Sequence, residues 1–298
     1  MKRILALLLA GLMALPAVNA QSISAELFLD REQYLVGEEL VIRVQVTNYY
    51  GQTLTLGSQA DWLAFTVEGS FPRFVQQTQP LSLPGEFKLE SAKVAKVPVV
   101  LTPAFDLSQP GRYTVTANVH LPQLNGSVIK AKPAAFNLIS GAVLWEQEFG
   151  APANPKAPDE PRETLKYALL QATHDKTLKL YARLSDARSL RTHRVEEIGN
   201  LVSVSNVEAQ IDQFSNLHVL YQNGRTTYLY SLINPDGFMI VRETHEIANN
   251  VRPMLRSLEN GRITVVGGQR RYASTDLPQA SPNLNLRPPP PPVEETKP

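Results

Sequence analysis

The chain is 298 residues long and carries 29 Lys plus Arg against 28 Asp plus Glu; a net charge of +1 excludes the broad basic field of a general nucleic-acid or anionic-membrane binder. Apolar residues make up 43%, enough for a packed core, which excludes wholesale disorder. Cysteine is absent, which removes disulfides, thiolate metal sites, cysteine nucleophiles and lipid attachment through cysteine.

Lys2 and Arg3 precede an almost wholly apolar run from Ile4 to Val18, and Val18-Asn19-Ala20 offers the small-x-small pattern that signal peptidase cuts. The run falls short of the roughly 20 residues a membrane-crossing helix needs, so residues 1–20 read as a cleaved leader rather than an anchor. The expectation is an exported chain starting at Gln21, periplasmic or extracellular, with no transmembrane segment after processing.

Residues 21–149 read as strands. Leu40, Ile42, Val44 and Val46 alternate with Val41, Arg43, Gln45 and Thr47, the period of two that marks a strand with one buried face. A turn at Tyr49-Tyr50-Gly51-Gln52 leads to Thr53–Leu56. Tyr113, Val115, Ala117 and Val119 alternate again, Asn125-Gly126 makes a tight turn into Ser127-Val128-Ile129, and Ala134 to Leu138 closes the sheet. Short strands at this spacing predict a two-sheet sandwich. Two motifs carry a resemblance. Tyr34-Leu35-Val36-Gly37-Glu38-Glu39-Leu40 followed by a V-x-V-T-N strand resembles the opening of bacterial immunoglobulin-like domains. Phe105 to Val115, with Pro110-Gly111 before Tyr113, resembles their corner motif, in which the tyrosine hydroxyl bonds back to the corner backbone. The resemblance implies an Ig-like β-sandwich and says little of function. Some exported proteinase-inhibitor-like domains share the pattern, but no reactive-site loop is found to carry inhibition over.

Residues 150–162 hold Pro152, Pro155, Pro158 and Pro161 and read as an extended linker. Residues 163–272 read as a second β domain, with Glu163–Thr173 open to helix or strand and strand preferred. Lys176–Tyr181 matches Arg225–Tyr230 at an offset of 49, which also aligns Glu197-Ile198 with Glu246-Ile247; Val207–Tyr221 matches Val251–Val265 at an offset of 44. A hairpin period of this length resembles β-propeller blades, although only two units and a fragment fit, so an open antiparallel meander or partial-propeller sheet is expected. From Ala273 onward, eight of the 23 prolines fall in 26 residues, which predicts a disordered or polyproline tail over 273–298. The fold class is therefore all-β.

The search for chemistry is largely negative. There is no G-x-S-x-G elbow, no phosphate loop and no G-x-G-x-x-G. The histidines are His120, His174, His193, His218 and His245, with no two at local zinc-pair spacing. His245-Glu246-Ile247-Ala248-Asn249 has Asn249 where a zinc-protease helix needs its second histidine, and reads as exposed strand. His218 reads as a hydrogen-bonded histidine on the less buried face of its strand. Asp30, Glu32, Asp61, Asp186, Asp212 and Asp236 read as turn or surface residues, and no sequence pattern pairs carboxylates for glycoside hydrolysis. Gln269-Arg270-Arg271 after Gly267-Gly268 reads as a charged strand end that blunts edge pairing, with anion binding the other option. Trp62 and Trp145 lie outside the repeats, so sugar-stacking platforms there would have to be tyrosines. His218, Tyr221, Arg225, Tyr228 and Tyr230 are the candidate binding residues, set against a reading in which the tyrosines brace the sheet. No cofactor is implied.

As a whole the chain resembles exported proteins of environmental bacteria. The expected function is a non-enzymatic binding or scaffold protein of the cell envelope, with a protein or polysaccharide partner and no nucleic acid. The alternatives are a polysaccharide-acting hydrolase with its site in the C-terminal domain, and a proteinase inhibitor using the N-terminal one. The sequence does not set the oligomeric state.

Overall fold

The computed structural model describes residues 23–70, 74–102, 104–152, 163–189, 191–202 and 206–277. The expected leader, most of the expected proline linker, and residues 278–298 of the expected tail lie outside the described residues. What is described is all-β and arranged as two compact units, 1–139 and 140–298.

The first unit opens with β1 (Ile23–Leu29), β2 (Gln33–Leu35), β3 (Val41–Asn48), β4 (Leu54–Leu56), β5 (Leu63–Glu68) and β6 (Phe74–Val75). It continues with β7 (Phe87–Leu89), β8 (Lys93–Val100), β9 (Gly111–Leu121), a 3-10 turn at Pro122–Leu124, β10 (Ser127–Lys130) and β11 (Ala134–Ile139). One sheet runs β1-β3-β8; the other runs β2-β11-β9-β5-β6 with β10 also on β9, and β4 pairs separately with β7. The alternation read from sequence is the burial pattern: Ile42, Val44 and Val46 are buried while Arg43 is exposed, and Tyr113, Val115, Ala117, Val119 and Leu121 are buried along β9. Both sheets send these side chains into one core, where each fully buried Val, Leu or Phe contributes about 1.5–3 kcal/mol.

Both motifs have a mechanical role. Glu38 is 7% exposed, and its carboxylate accepts from the Leu35 amide at 2.6 Å and from Arg31 at 2.8 Å. Asn48 ends the V-x-V-T-N strand fully buried. Its amide donates to Gln52 O at 2.8 Å and Leu89 O at 2.9 Å, and its oxygen accepts from the Tyr50 N–H at 2.9 Å. The Tyr113 hydroxyl donates back to Gln109 O at 2.8 Å, as the corner motif implies.

The second unit begins with β12 (Ala142–Gly150), β13 (Thr164–His174), β14 (Thr177–Asp186), β15 (Thr192–Asn200), β16 (Glu208–Ile211) and β17 (Leu217–Gln222). It ends with β18 (Thr227–Ile233), β19 (Met239–Glu246), β20 (Met254–Ser257), β21 (Ile263–Val266) and β22 (Gln269–Arg271). The sheets run β12-β13-β14-β15, β16-β17-β18-β19-β22 and β20-β21. The four-stranded and five-stranded sheets share a core of Leu165, Tyr167, Leu169, Leu180 and Leu184 against Leu217, Val219, Tyr221, Leu229 and Ile233. On its other face the five-stranded sheet packs Leu220, Tyr228, Tyr230 and Val241 against Leu255, Ile263 and Val265 of the hairpin.

The internal similarity has a topological meaning. β14 and β18, matched at offset 49, are each the third strand of a consecutive four-strand meander. β20 and β21, matched to β16 and β17 at offset 44, form a two-stranded hairpin in the place of the first two strands of a meander. The gapless match does not hold in the fourth strand. Tyr181 faces Glu197 on β15, but Tyr230 faces Glu243 on β19 rather than Glu246.

Two expected boundaries move. The units divide after Ile139, because β12 pairs with β13 from Ala142↔Gln171 to Gly150↔Thr164. The proline-rich stretch therefore connects two paired strands of one sheet, with Ala151 N–H bonded to Glu163 O at 2.8 Å, and is not a tether between domains. The first residues of the expected tail also belong to the fold: Leu277 bridges to Arg242, and Asp276 accepts from Thr244 Oγ1 at 2.8 Å. These polar partners outweigh the local tail-like composition.

Candidate functional site

The register of the five-stranded sheet sets two rows of side chains on the face away from the main core. Leu220, Tyr230 and Glu243 are cross-strand neighbours, and so are Gln222, Tyr228, His245 and Arg270. Where the hairpin stops covering this face an open groove of about 800 Å³ remains, lined by Tyr230, Glu243, His245, Arg270, Tyr272, Asp276, Leu277 and residues 263–265 of β21.

The charged groups in the groove are engaged with one another. Arg270 donates to Asp276 Oδ2 at 2.7 Å and to the Thr244 carbonyl at 3.0 Å, and its Nε lies 3.7 Å from Glu243 Oε2. His245 Nε2 lies 3.3 Å from the same Glu243 oxygen. Burial pushes the Asp276 carboxyl up, but bonds from the Ala273 N–H, Arg270 and Thr244 outweigh it and hold the group below the usual carboxylate range. The Arg270 guanidinium also lies 4.9 Å from the ring centre of Tyr272, which is 87% exposed.

Behind Tyr230 runs a buried polar chain. Asp212 Oδ2 lies 3.2 Å from His218 Nε2, and His218 Nδ1 lies 2.8 Å from the Tyr230 hydroxyl. Burial raises the Asp212 carboxyl, yet His218, Asn216 and the Asn216 and Phe214 amides together bring it below its ordinary value. An ionised Asp212 only accepts. The carboxylate therefore accepts from His218 Nε2, and His218 Nδ1 shares a hydrogen bond with the Tyr230 hydroxyl. Burial first, then the charges of Glu243 and Asp212, push the Tyr230 hydroxyl well above the ordinary phenol range. It stays a neutral phenol, its hydroxyl engaged with His218.

The five candidate binding residues therefore do not form one surface. Tyr230 lines the groove, His218 lies buried behind it, and Tyr228 is buried on the same face. Tyr221 points into the main core, its hydroxyl donating to Ile198 O at 3.1 Å, and Arg225 is exposed in the β17–β18 turn. The bracing role of the tyrosines accounts for Tyr221 and Tyr228. Two expectations need correction, a less buried face for His218 and an exposed strand for His245, while Asp212 does hold a turn, its carbonyl accepting from the Ser215 N–H at 3.0 Å, with its side chain covered. The histidines are 5% and 7% exposed, and the Asp212 side chain 10%. Each is covered because it has a polar partner and a packed neighbour. Sequence reasoning missed Glu243, Tyr272 and Asp276. The available signal was Glu243-Thr244-His245, whose i, i+2 spacing sets both groups on one strand face.

No family model and no curated protein matches the chain. Among solved structures it is similar to the sporulation control protein Spo0M from Bacillus subtilis, at 10% identity over 55% of this chain and 79% of that one, with a TM-score of 0.30. A likeness at that score carries no argument about function. Among the described residues no helix is long and apolar enough to cross a membrane.

Proposed function

We propose that the chain is an exported, non-enzymatic binding protein of the cell envelope, whose second unit receives its partner in the groove between β21, β22 and β19. The leader-like residues 1–20 support export. The observation that carries the binding reading is the groove itself: it is open, it has an exposed aromatic ring at its rim, and its charged groups are tied to each other. Groups held in mutual ion pairs shape and orient a partner without being free to exchange protons with it.

The test couples the mature protein to a resin and passes envelope extract over it, in parallel with a Tyr272→Ala, Leu277→Ser variant. Both side chains are exposed enough that the fold is expected to tolerate the change. Retention of one defined component by the wild type, reduced at least tenfold in the variant, is expected. Equal retention by both would exclude the groove as the binding surface. Export is checked separately by sequencing the N-terminus of protein from the envelope fraction, which should begin at Gln21.

One observation favours hydrolysis as a second reading. Glu243 and Asp276 both reach Arg270 in one groove, so two carboxylates are paired in space although no sequence motif pairs them. Glycoside hydrolysis needs one carboxyl that keeps its proton. Asp276 is held too acidic for that, so this reading turns on Glu243. Turnover of an envelope polysaccharide that Glu243→Gln abolishes would establish this reading and overturn the non-enzymatic one.

A further inference from the structure

We infer that the free edge of β21 is a strand-acceptor site, where an extended polypeptide from a partner, with apolar side chains at alternate positions and a basic residue among them, pairs with β21 and lies along the groove. The inference rests on the binding reading above and names its partner class.

In each complete meander the second strand has neighbours on both sides: β13 lies between β12 and β14, and β17 between β16 and β18. β21 is the counterpart of β17, yet among the described residues it pairs with β20 alone. The chain is steered away from the vacant position by Gly267-Gly268, both with positive φ (73° and 61°). A Cβ at Gly267 would lie 2.6 Å from Arg252 O, and one at Gly268 2.5 Å from Glu246 O, so no other residue fits either position. The diverted chain forms β22, which pairs with β19 instead.

Ile263, Thr264 and Val265 all line the groove. One face of a strand presents alternate residues only. Three consecutive residues bordering one groove mean that the strand's edge, with its backbone donors and acceptors, faces it. Such an edge calls for the regular N–H and C=O pattern of another polypeptide, which a sugar chain does not supply. Tyr230 and Leu277 give apolar contact at the groove, and the carboxylates of Glu243 and Asp276, held beside Arg270 and His245, offer acceptors to a lysine or arginine.

The probe is a labelled synthetic peptide copying Arg225–Ile233, because that strand fills the corresponding position beside β17. Two further versions are N-methylated at the odd or at the even residues. In edge pairing only one set of amides faces β21. Titrated into the full mature chain and followed by anisotropy, the parent peptide is expected to bind saturably. One methylated version should bind at least tenfold more weakly and the other within about twofold of the parent. Equal binding of both methylated versions would show contact through side chains alone and overturn the inference. So would no peptide binding at all, or binding of cello- or chito-oligosaccharides in its place. Self-association of the chain that the peptide reverses would make the occupant a second copy and remove the separate partner. If the peptide fails while resin retention still depends on Tyr272 and Leu277, the strand inference falls and the binding reading stands; if both fail, both fall.

Discussion

At the scale of single residues, the buried polar groups that hold several hydrogen bonds at once matter most. Asn48→Ala would leave the buried Leu89 carbonyl without this partner and free the Gln52 carbonyl and Tyr50 N–H of the exposed turn, and is expected to cost about 1–3 kcal/mol. Arg43→Ala removes an exposed ion pair with Asp30, with both side chains about half exposed, and should cost less than about 0.5 kcal/mol. Urea unfolding of both variants checks the contrast; similar losses would mean that exposure does not govern polar energetics here. Asp212 makes a pH prediction. Its folded pKa lies below its ordinary value of 3.8, so the unfolded chain binds the proton more tightly. The stabilisation is therefore full above that value and is lost as pH falls through the folded pKa. Replacing the residue in Asp212→Asn should flatten the acid limb of a plot of Tm against pH, measured from pH 5 downward. An unchanged slope would show that Asp212 is not a contributor.

At the scale of elements, the first unit was legible from its string because one face of each long strand is buried and the other is wet, which writes a period of two into the sequence. β3 and β9 show this directly, while Asn125, with φ of 55°, turns the chain into β10 at the end of a five-residue connection over 122–126 rather than in a tight turn. The groove was not legible. It depends on which strand lies beside which. Nothing local in Gln269-Arg270-Arg271 says that it pairs with β19 rather than with β21. The path from Tyr230 to its partner Glu243 is also three residues shorter than that from Tyr181 to Glu197, which defeats a gapless repeat match. One turn is silent in the string for a chemical reason. His174 pairs with Thr177, so Asp175 and Lys176 form a two-residue hairpin turn with φ of 46° and 65°. Such turns favour Asn-Gly or Asp-Gly, and Lys176 stands where the glycine would mark one. Lys176→Gly relieves the left-handed strain at one position while leaving the contact between His174 and Asp175 in place, and is expected to stabilise by about 0.5–1 kcal/mol in thermal or urea unfolding. A loss would show that the lysine makes a compensating contact.

At the scale of the whole molecule, each unit has its own core and its own sheets, and the dividing line follows hydrogen bonding rather than proline content. A fragment of residues 140–298 is expected to unfold cooperatively, whereas residues 151–298 lack β12 and expose the edge of β13 along its whole length. The shorter fragment should lose cooperativity or aggregate, as judged by circular dichroism melting and size exclusion. Equal behaviour would place β12 outside the second unit. The same arrangement has a practical side. A protease that cuts between Ala151 and Glu163 severs the backbone but not the ladder joining β12 to β13. Digestion would then yield two bands on a denaturing gel from a particle that still migrates intact in native conditions, and the nick would pass for a domain border that the molecule does not have.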